Sequence, residues 1–216
     1  HGIDCTFRLT TDVRYRTIIS HNTCYNNSVN GITVSSALLA GVLTLAPTVA
    51  TWASTTIITD NLCYDNAVYG IAAYGDYVTV ANNQCHGNNT LDSSAGGFVC
   101  SCRWSTYTGN ISTYNGTTQG YGMACGGSIN TVINGNTAIG NGTNFNIGGS
   151  INVRFTNNYT SKQIGLGINI SNLESGAAQN WPTTCEGLVV SGNTIEVDTA
   201  AVYGVVVYDG VPGMIF

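Results

Sequence analysis

General acid–base catalysis needs ionisable side chains at suitable separations, and two sets of acidic residues in this sequence offer carboxyl groups for it. The first set is Asp65 and Asp92, with His86 between them in the chain and Tyr64 directly before Asp65. Two carboxyl groups roughly 5–9 Å apart suit a glycoside hydrolase, and a base with an acid suits a lyase or an epimerase. We therefore predict a first candidate site at Asp65, His86 and Asp92, with Tyr64 as a platform for a sugar ring.

The second set is Glu174 and Glu186, which share one long predicted loop with Trp181 between them. The candidate catalytic residues are thus Asp65, Asp92, Glu174 and Glu186. For each pair the plainer interpretation is a set of solvated acids in turns, and the sequence favours it. No segment matches a family catalytic motif residue by residue, so no catalytic role is carried over from one.

Aromatic side chains supply candidate binding residues. Tyr25, Tyr64 and His86 occupy equivalent places in successive repeats and would stack outward if those repeats are adjacent. Their faces could hold sugar rings, or they could simply stabilise a ladder of like side chains. Arg103, Trp104 and Trp181 are further substrate-binding candidates. An arginine beside a tryptophan can bind a charged sugar through hydrogen bonds and stacking. The alternative that the sequence favours for Arg103 is a surface arginine covering an apolar neighbour.

The eight cysteines are not spaced as zinc ligands, and we predict neither a metal nor a cofactor. Cys24, Cys63 and Cys85 fall in one inward column, and Cys100 and Cys125 fall in another. Columns one repeat apart would permit disulfides geometrically, but a reduced, buried core is the simpler interpretation. Reduced cysteines indicate folding in a cytosol, whereas a secreted protein would more often oxidise them.

These residues belong to a repeat that is anchored on one asparagine. The anchors are 39, 22, 27, 26, 22 and 35 residues apart, so the bare unit is 22 residues and the others carry insertions. Three residues before each anchor the chain is apolar, and a glycine followed by an apolar residue comes later in six of the seven copies; the fifth has Asn144 instead. The anchors are Asn22, Asn61, Asn83, Asn110, Asn136, Asn158 and Asn193.

Beyond the glycine, the residues alternate between inward and outward with period two, which is typical of strands. Each unit therefore predicts about three short strands joined by turns rich in Asn and Gly. One unit cannot bury its apolar side alone, so units must stack, with parallel strands at about 4.8 Å. The inward pairs begin with Ile32 and Val34, Ile71 and Ala73, and Phe98 and Cys100, and end with Val205 and Val207.

The pattern over about residues 17–207 resembles the right-handed parallel β-helix family, the pectate-lyase-like fold, and most of all a segment of a bacteriophage tailspike. The resemblance implies an all-β solenoid of about seven to eight rungs with loop insertions. Residues 1–216 would form a single β-helix domain, which we expect to be a segment of a longer chain. The predicted insertions, which could wall a groove, are 6–16, 35–54, 87–96, 115–121 and 171–186.

The amino-acid composition limits the classes of partner that the chain could bind. The chain has six Lys and Arg against eleven Asp and Glu, a net charge of −5, which argues against nucleic acid. The apolar run at residues 37–53 contains Pro47 and three threonines, so we interpret it as a buried insertion and expect no membrane partner. The outward positions Thr33, Val99 and Val206 are small and uncharged, and they suit either a plain sheet face or a face covered by another subunit.

Three functions remain open. The first is a tailspike or tail-fibre segment, a homotrimer on the virion that binds a bacterial surface polysaccharide in host recognition, with or without cleaving it. The second is a secreted, extracellular polysaccharide lyase, glycoside hydrolase or uronate epimerase. The third is a structural stalk or adhesin without catalysis. If the chain is an enzyme, we expect a polysaccharide-degrading hydrolase or lyase (a depolymerase).

Overall fold

The computed structural model describes residues 2–8, 16–37, 55–91, 95–116, 120–171, 184–197 and 203–207. These residues form short β-strands in the order that the repeat predicts. The strands are β1 (Ile3–Arg8), β2 (Arg16–Ser20), β3 (Thr23–Tyr25), β4 (Ile32–Ala37), β5 (Thr55–Thr59), β6 (Leu62–Tyr64), β7 (Ile71–Asp76), β8 (Val78–Ala81), β9 (Gln84–His86), β10 (Gly96–Arg103), β11 (Thr106–Thr108), β12 (Ile111–Thr113), β13 (Tyr121–Gly126), β14 (Val132–Asn134), β15 (Thr137–Ile139), β16 (Thr143–Gly148), β17 (Arg154–Thr156), β18 (Tyr159–Ser161), β19 (Leu166–Ser171), β20 (Val189–Ser191), β21 (Thr194–Ile195) and β22 (Tyr203–Val207).

Three parallel sheets run along the molecule. Sheet A contains β1, β4, β7, β10, β13, β16, β19 and β22 in that order. Sheet B runs from β2 to β20 and sheet C from β3 to β21, each with seven strands. The chain passes through sheets A, B and C in every coil, and each strand pairs with its counterpart one coil later. The fold is a right-handed parallel β-helix, which confirms the predicted class and number of rungs.

The core contains the inward residues that the alternation predicts. Ile32, Phe98 and Ile168 on sheet A are fully buried, and the predicted inward partners behave alike until the last described strand. There, Val205 and Val207 are 39% and 40% exposed, because β22 is the edge of sheet A in the described part of the chain. The alternation thus predicts correctly which side chains point inward, and the position of a strand along the stack decides how deeply those side chains are buried.

The anchoring asparagines form a continuous internal ladder at the turns between sheets B and C. The Asn83 side chain donates from Nδ2 to the Asn110 Oδ1 at 3.0 Å and accepts from the Asn61 backbone N–H at 3.0 Å. The same contacts recur from Asn22 to Asn193. Each amide therefore satisfies turn backbone that would otherwise be buried without partners.

A second ladder lies five residues after the first, at the turns between sheets C and A. It runs through Asn27, Asn66, Asn88, Asn115 and Asn141. The next position holds Gln163, whose longer side chain is 2% exposed and whose Nε2 has no hydrogen-bond partner. Asn144 takes over instead: its Oδ1 accepts from Asn141 at 2.8 Å, and its Nδ2 donates to Ser161 O at 2.9 Å. The irregular Asn144 of the fifth repeat thus completes the ladder beside the glutamine.

The recurrent glycine before each sheet A strand permits close stacking. A methyl group at Gly97 would overlap the Ser112 hydroxyl and the Gly122 carbonyl of the next rung. The ladder asparagine Asn115 also lies within contact of that methyl position. Glycine recurs here because any side chain would push neighbouring rungs apart.

Part of the outward face of sheet A is buried within the single chain, whereas Thr33 and Val206 at the predicted outward positions are half-buried. Ala72 is fully buried, and Val99 and Ala124 are each 8% exposed, within the single chain. Burial raises the pKa of Tyr69, and it raises the pKa of Tyr74 to about 12. The middle of this face is therefore already covered, which leaves Val99 little area for contact with another subunit.

All eight cysteines are free thiols, and seven of them are buried. Cys24, Cys63 and Cys85 are aligned on adjacent strands, as the repeat predicts. Cys102 lies in the core, accepts a 2.8 Å hydrogen bond from the Tyr107 hydroxyl, and has a pKa raised to about 12 by burial. These side chains pack as small hydrophobic groups.

The insertions fall largely outside the described residues. The strands β1 and β4 continue to Arg8 and Ala37, so regular structure extends beyond the predicted insertion starts at residues 6 and 35. In the described residues no helix is long and apolar enough to span a membrane. Most of the apolar run at 37–53 lies outside the described part.

Candidate functional site

An aromatic row runs along the outside of sheet C, parallel to the axis of the solenoid. Tyr25 and Tyr64 stack with ring centroids 5.0 Å apart and planes 3° from parallel. His86 follows in register on the next strand. Tyr25 is 51% exposed, so the part of its ring that does not contact Tyr64 is open to a ligand. The row arises because each of these residues directly follows an inward cysteine, which sends its side chain outward.

The histidine end of the row is held by two further residues. The His86 Nδ1 lies 2.9 Å from the Thr113 Oγ1 on the following rung. The Tyr114 ring meets the imidazole edge-on, with centroids 6.0 Å apart and planes at 78°. Tyr114 is 52% exposed and has a positive φ of 53°, and its ring lies over Gly140, where a side chain would collide with it. We call Tyr25, Tyr64, His86 and Tyr114 the sheet C ladder.

Asp65 is exposed in the turn that follows β6. Its φ of 53° matches the φ of 52° at Asn26, the residue that follows β3, and the φ of 59° at Gly87, which follows β9. Its backbone N–H donates to the His86 carbonyl at 3.3 Å, so the predicted proximity to His86 exists. Aspartate tolerates this left-handed conformation, which explains its presence without a catalytic role. Asp92, its predicted partner, lies outside the described residues, so the paired-carboxylate site remains a prediction.

The second acid pair is likewise untested. Glu186 is exposed and forms an isolated backbone bridge with Ile151 between sheets A and B. Glu174 and Trp181 lie outside the described residues. Within the described ranges, no group of three or more His, Cys, Asp or Glu residues is placed to hold a metal ion.

Arg103 occupies a different environment from the predicted surface position. Its side chain is 2% exposed, and its Nε and Nη2 donate to the two carboxylate oxygens of Asp76 at 2.7 and 2.9 Å. Burial raises the pKa of Asp76, and the neighbouring guanidinium opposes that shift. Register causes the pairing, since Arg103 ends β10 directly beside Asp76 at the end of β7. Arg103 is therefore a buried structural cation with both of these donors committed.

Trp104 stacks on a residue that the sequence interpretation missed. Its ring and that of Tyr77 have centroids 5.5 Å apart and planes 17° from parallel. The Arg103 Cζ lies 5.3 Å from the centre of the Trp104 ring. Tyr77 and Trp104 each directly follow a sheet A strand, and this shared place in the repeat was the available signal. Likewise, Tyr114 follows a sheet C strand, as Asp65 does.

The comparisons with known proteins show the fold. No family model matches the sequence, and no curated protein matches it. The A-module of mannuronan C-5 epimerase AlgE4 from Azotobacter vinelandii is similar, with a TM-score of 0.60 at 14% identity over 94% of this chain and 49% of that chain. The periplasmic alginate epimerase AlgG has a TM-score of 0.56 at 16% identity over 100% of this chain and 47% of that one.

A viral protein is also similar. The enzymatically active domain of tailspike protein 2 from bacteriophage CBA120 has a TM-score of 0.54 at 13% identity, over 88% of this chain and 32% of that one. The chain therefore spans about half or less of the length of each of these proteins. At these identities the likeness shows a shared parallel β-helix.

Proposed function

We propose that this chain binds a polysaccharide along the sheet C ladder, as a segment of a bacteriophage tailspike or tail fibre. The observation that carries the proposal is the open stack of Tyr25 on Tyr64, in register with His86. Rings stacked at the rung spacing of about 4.8 Å present a long row of apolar ring edges with polar tips, which suits a sugar chain lying along it. The similar proteins include a tailspike domain and enzymes named for mannuronan and alginate, which are polysaccharides.

The chemistry of the ladder suits binding better than catalysis. The stacked rings expose their edges to the C–H bonds of a sugar, and the Tyr64 hydroxyl and the His86 ring offer hydrogen bonds. The acid beside the ladder, Asp65, is explained by its turn conformation. The role that follows is recognition of a polysaccharide chain lying lengthwise on sheet C, and any cleavage would need acids from elsewhere.

Replacing both ladder tyrosines tests the proposal. Each ring contact is worth about 1 kcal/mol on the scale of aromatic pairs, so Tyr25→Ala/Tyr64→Ala should weaken binding roughly 10- to 100-fold. Affinity electrophoresis against mannuronan, alginate and purified bacterial O- and capsular polysaccharides would measure it. Tyr25→Phe/Tyr64→Phe keeps the ring faces and should retain most of the affinity.

Tyr203→Ala is the matched control, because Tyr203 is 57% exposed but lies on sheet A. It should bind as the wild type does. Equal binding by the Tyr25→Ala/Tyr64→Ala variant and the wild type would contradict the ladder as the binding surface. A wild type that binds none of these polysaccharides would favour the stalk or adhesin alternative.

A polysaccharide-modifying enzyme is the second candidate, and the epimerases favour it with TM-scores at or above that of the tailspike domain. Free cysteines favour the virion over a secreted, extracellular enzyme. We expect a thiol reagent to modify at most the partly buried Cys5 in the folded protein and all eight cysteines in denaturant. Several disulfides in the purified protein would favour the secreted enzyme, whereas a trimer in light scattering would favour the tailspike.

A further inference from the structure

Equivalent positions in the turns that join sheet A to sheet B hold a residue in a left-handed conformation in successive rungs. We call this edge of the solenoid the A–B corner. The φ values are close to one another, between 50° and 62°. The residues, in rung order, are Tyr77, Trp104, Asn130, Asn152 and Gly187.

Two of these residues are unsuited to that conformation. Glycine and asparagine adopt positive φ readily, whereas a bulky aromatic residue there is an outlier. Asn130, Asn152 and Gly187 make the turn with suitable residues. The turn itself therefore does not require an aromatic ring. Residues held in a strained backbone conformation, such as Tyr77 and Trp104, cluster at functional sites in proteins.

The two aromatic rings form a rigid and partly open surface. Tyr77 and Trp104 stack across adjacent rungs, and Tyr77 is 39% exposed. Beside them, Arg103 lies against Trp104 while its Nε and Nη2 bind the buried Asp76. Because Arg103 is fixed by its ion pair, the Trp104 ring is held in place before any ligand arrives.

The A–B corner lies across the core from the sheet C ladder. Each coil passes through A, B and C in turn, so the edge between A and B is opposite the side that C forms. A ligand at Tyr77 and Trp104 would thus occupy a separate place.

We infer that Tyr77 and Trp104 form a second sugar-binding platform, which takes the apolar face of a pyranose ring. The inference rests on the proposed polysaccharide binding and adds that one chain holds two glycan segments on opposite sides. Recognition here is through the exposed side of the Tyr77–Trp104 stack, since the two rings cover each other's inner faces and the Arg103 Nε and Nη2 already bind a carboxylate. Two sites on one chain would raise the avidity for a polymer surface.

Asparagine is the informative replacement at both positions, because Asn130 and Asn152 make the same turn in later rungs. The probe is a set of short oligosaccharides prepared from the panel polysaccharide that the wild type binds most tightly. Equilibrium dialysis should give two bound oligosaccharides per wild-type chain. It should give one for Tyr77→Asn/Trp104→Asn, one for Tyr25→Ala/Tyr64→Ala, and none for the fourfold variant.

The melting temperature separates binding from structure. If the rings serve a ligand, Tyr77→Asn/Trp104→Asn should melt at the wild-type temperature or above it, because asparagine adopts the positive φ of these two positions with less strain. A stoichiometry that stays at two in this variant would overturn the inference, as would a marked fall in its melting temperature.

The possible failures are distinguishable. Loss of binding in Tyr25→Ala/Tyr64→Ala alone would overturn the second platform and leave the proposed function standing. Loss of all binding in Tyr77→Asn/Trp104→Asn, with binding kept in Tyr25→Ala/Tyr64→Ala, would contradict the sheet C ladder as a binding surface. It would support binding at the A–B corner. A wild type that binds no polysaccharide of the panel would overturn both.

Discussion

Asn83→Ala should lower the free energy of unfolding by about 3–5 kcal/mol, because it leaves several buried polar groups without partners. The Asn83 side chain donates to Ile58 O, Ala81 O and Asn110 Oδ1, at 2.9, 3.0 and 3.0 Å. Its Oδ1 accepts from the backbone and side-chain nitrogens of Asn61, at 3.0 and 2.9 Å. Asn83 is fully buried, so water cannot replace these bonds without opening the rungs. Urea unfolding followed by circular dichroism would measure the change.

Two matched variants sharpen this expectation. Asn22→Ala removes the first described member of the same ladder, which is only partly buried, and should cost about 1 kcal/mol. Asn83→Asp keeps the shape but replaces the donor with an oxygen facing the Ile58 and Ala81 carbonyls, so it should destabilise at least as much as alanine. A loss in Asn83→Ala no greater than that in Asn22→Ala would contradict the ladder as an internal support.

Asp76→Ala should cost about 3–5 kcal/mol, because it leaves the buried Arg103 guanidinium without its carboxylate. The side chains of Arg103 and Asp76 are 2% and 7% exposed, so solvent screens the pair little. The double variant Asp76→Ala/Arg103→Met removes both charges, and it should recover most of the loss since an apolar pair avoids the cost of desolvation. Urea unfolding of the single and double variants measures the coupling between the two sites.

The double variant is the decisive member of this set. If it were as unstable as Asp76→Ala, the loss would come from packing rather than from an unpaired charge. A single variant of wild-type stability would show that the guanidinium reaches water or another anion.

The repeat made the fold predictable because it constrains register and direction together. Anchoring on Asn22 and Asn61 aligns Cys24 with Cys63 although 39 residues separate them, and the structure pairs these strands. The 39-residue spacing therefore does not change the register of the paired strands. The same alignment placed Tyr25 over Tyr64 correctly, since outward direction follows from the inward cysteines.

Features at the turns and ends of strands could not be predicted in this way. The contact of Arg103 with Asp76 depends on β7 and β10 ending at the same level, which the repeat leaves open because strand length varies. The positive φ at Tyr77, Trp104 and Tyr114 contradicts their local preference, so composition gave no warning. Likewise, Val99 points outward as predicted but is buried, because alternation does not report what covers a face.

The measurement that most directly tests the central claim is hydroxyl-radical footprinting with the polysaccharide bound. Tyrosine and histidine oxidise readily, so mass spectrometry can compare their modification with and without the glycan. We predict strong protection of Tyr25, Tyr64 and His86, and unchanged oxidation of the exposed Tyr203 on sheet A. Protection confined to sheet A or to the insertions, with Tyr25 and Tyr64 oxidised as in the free protein, would contradict polysaccharide binding along the sheet C ladder.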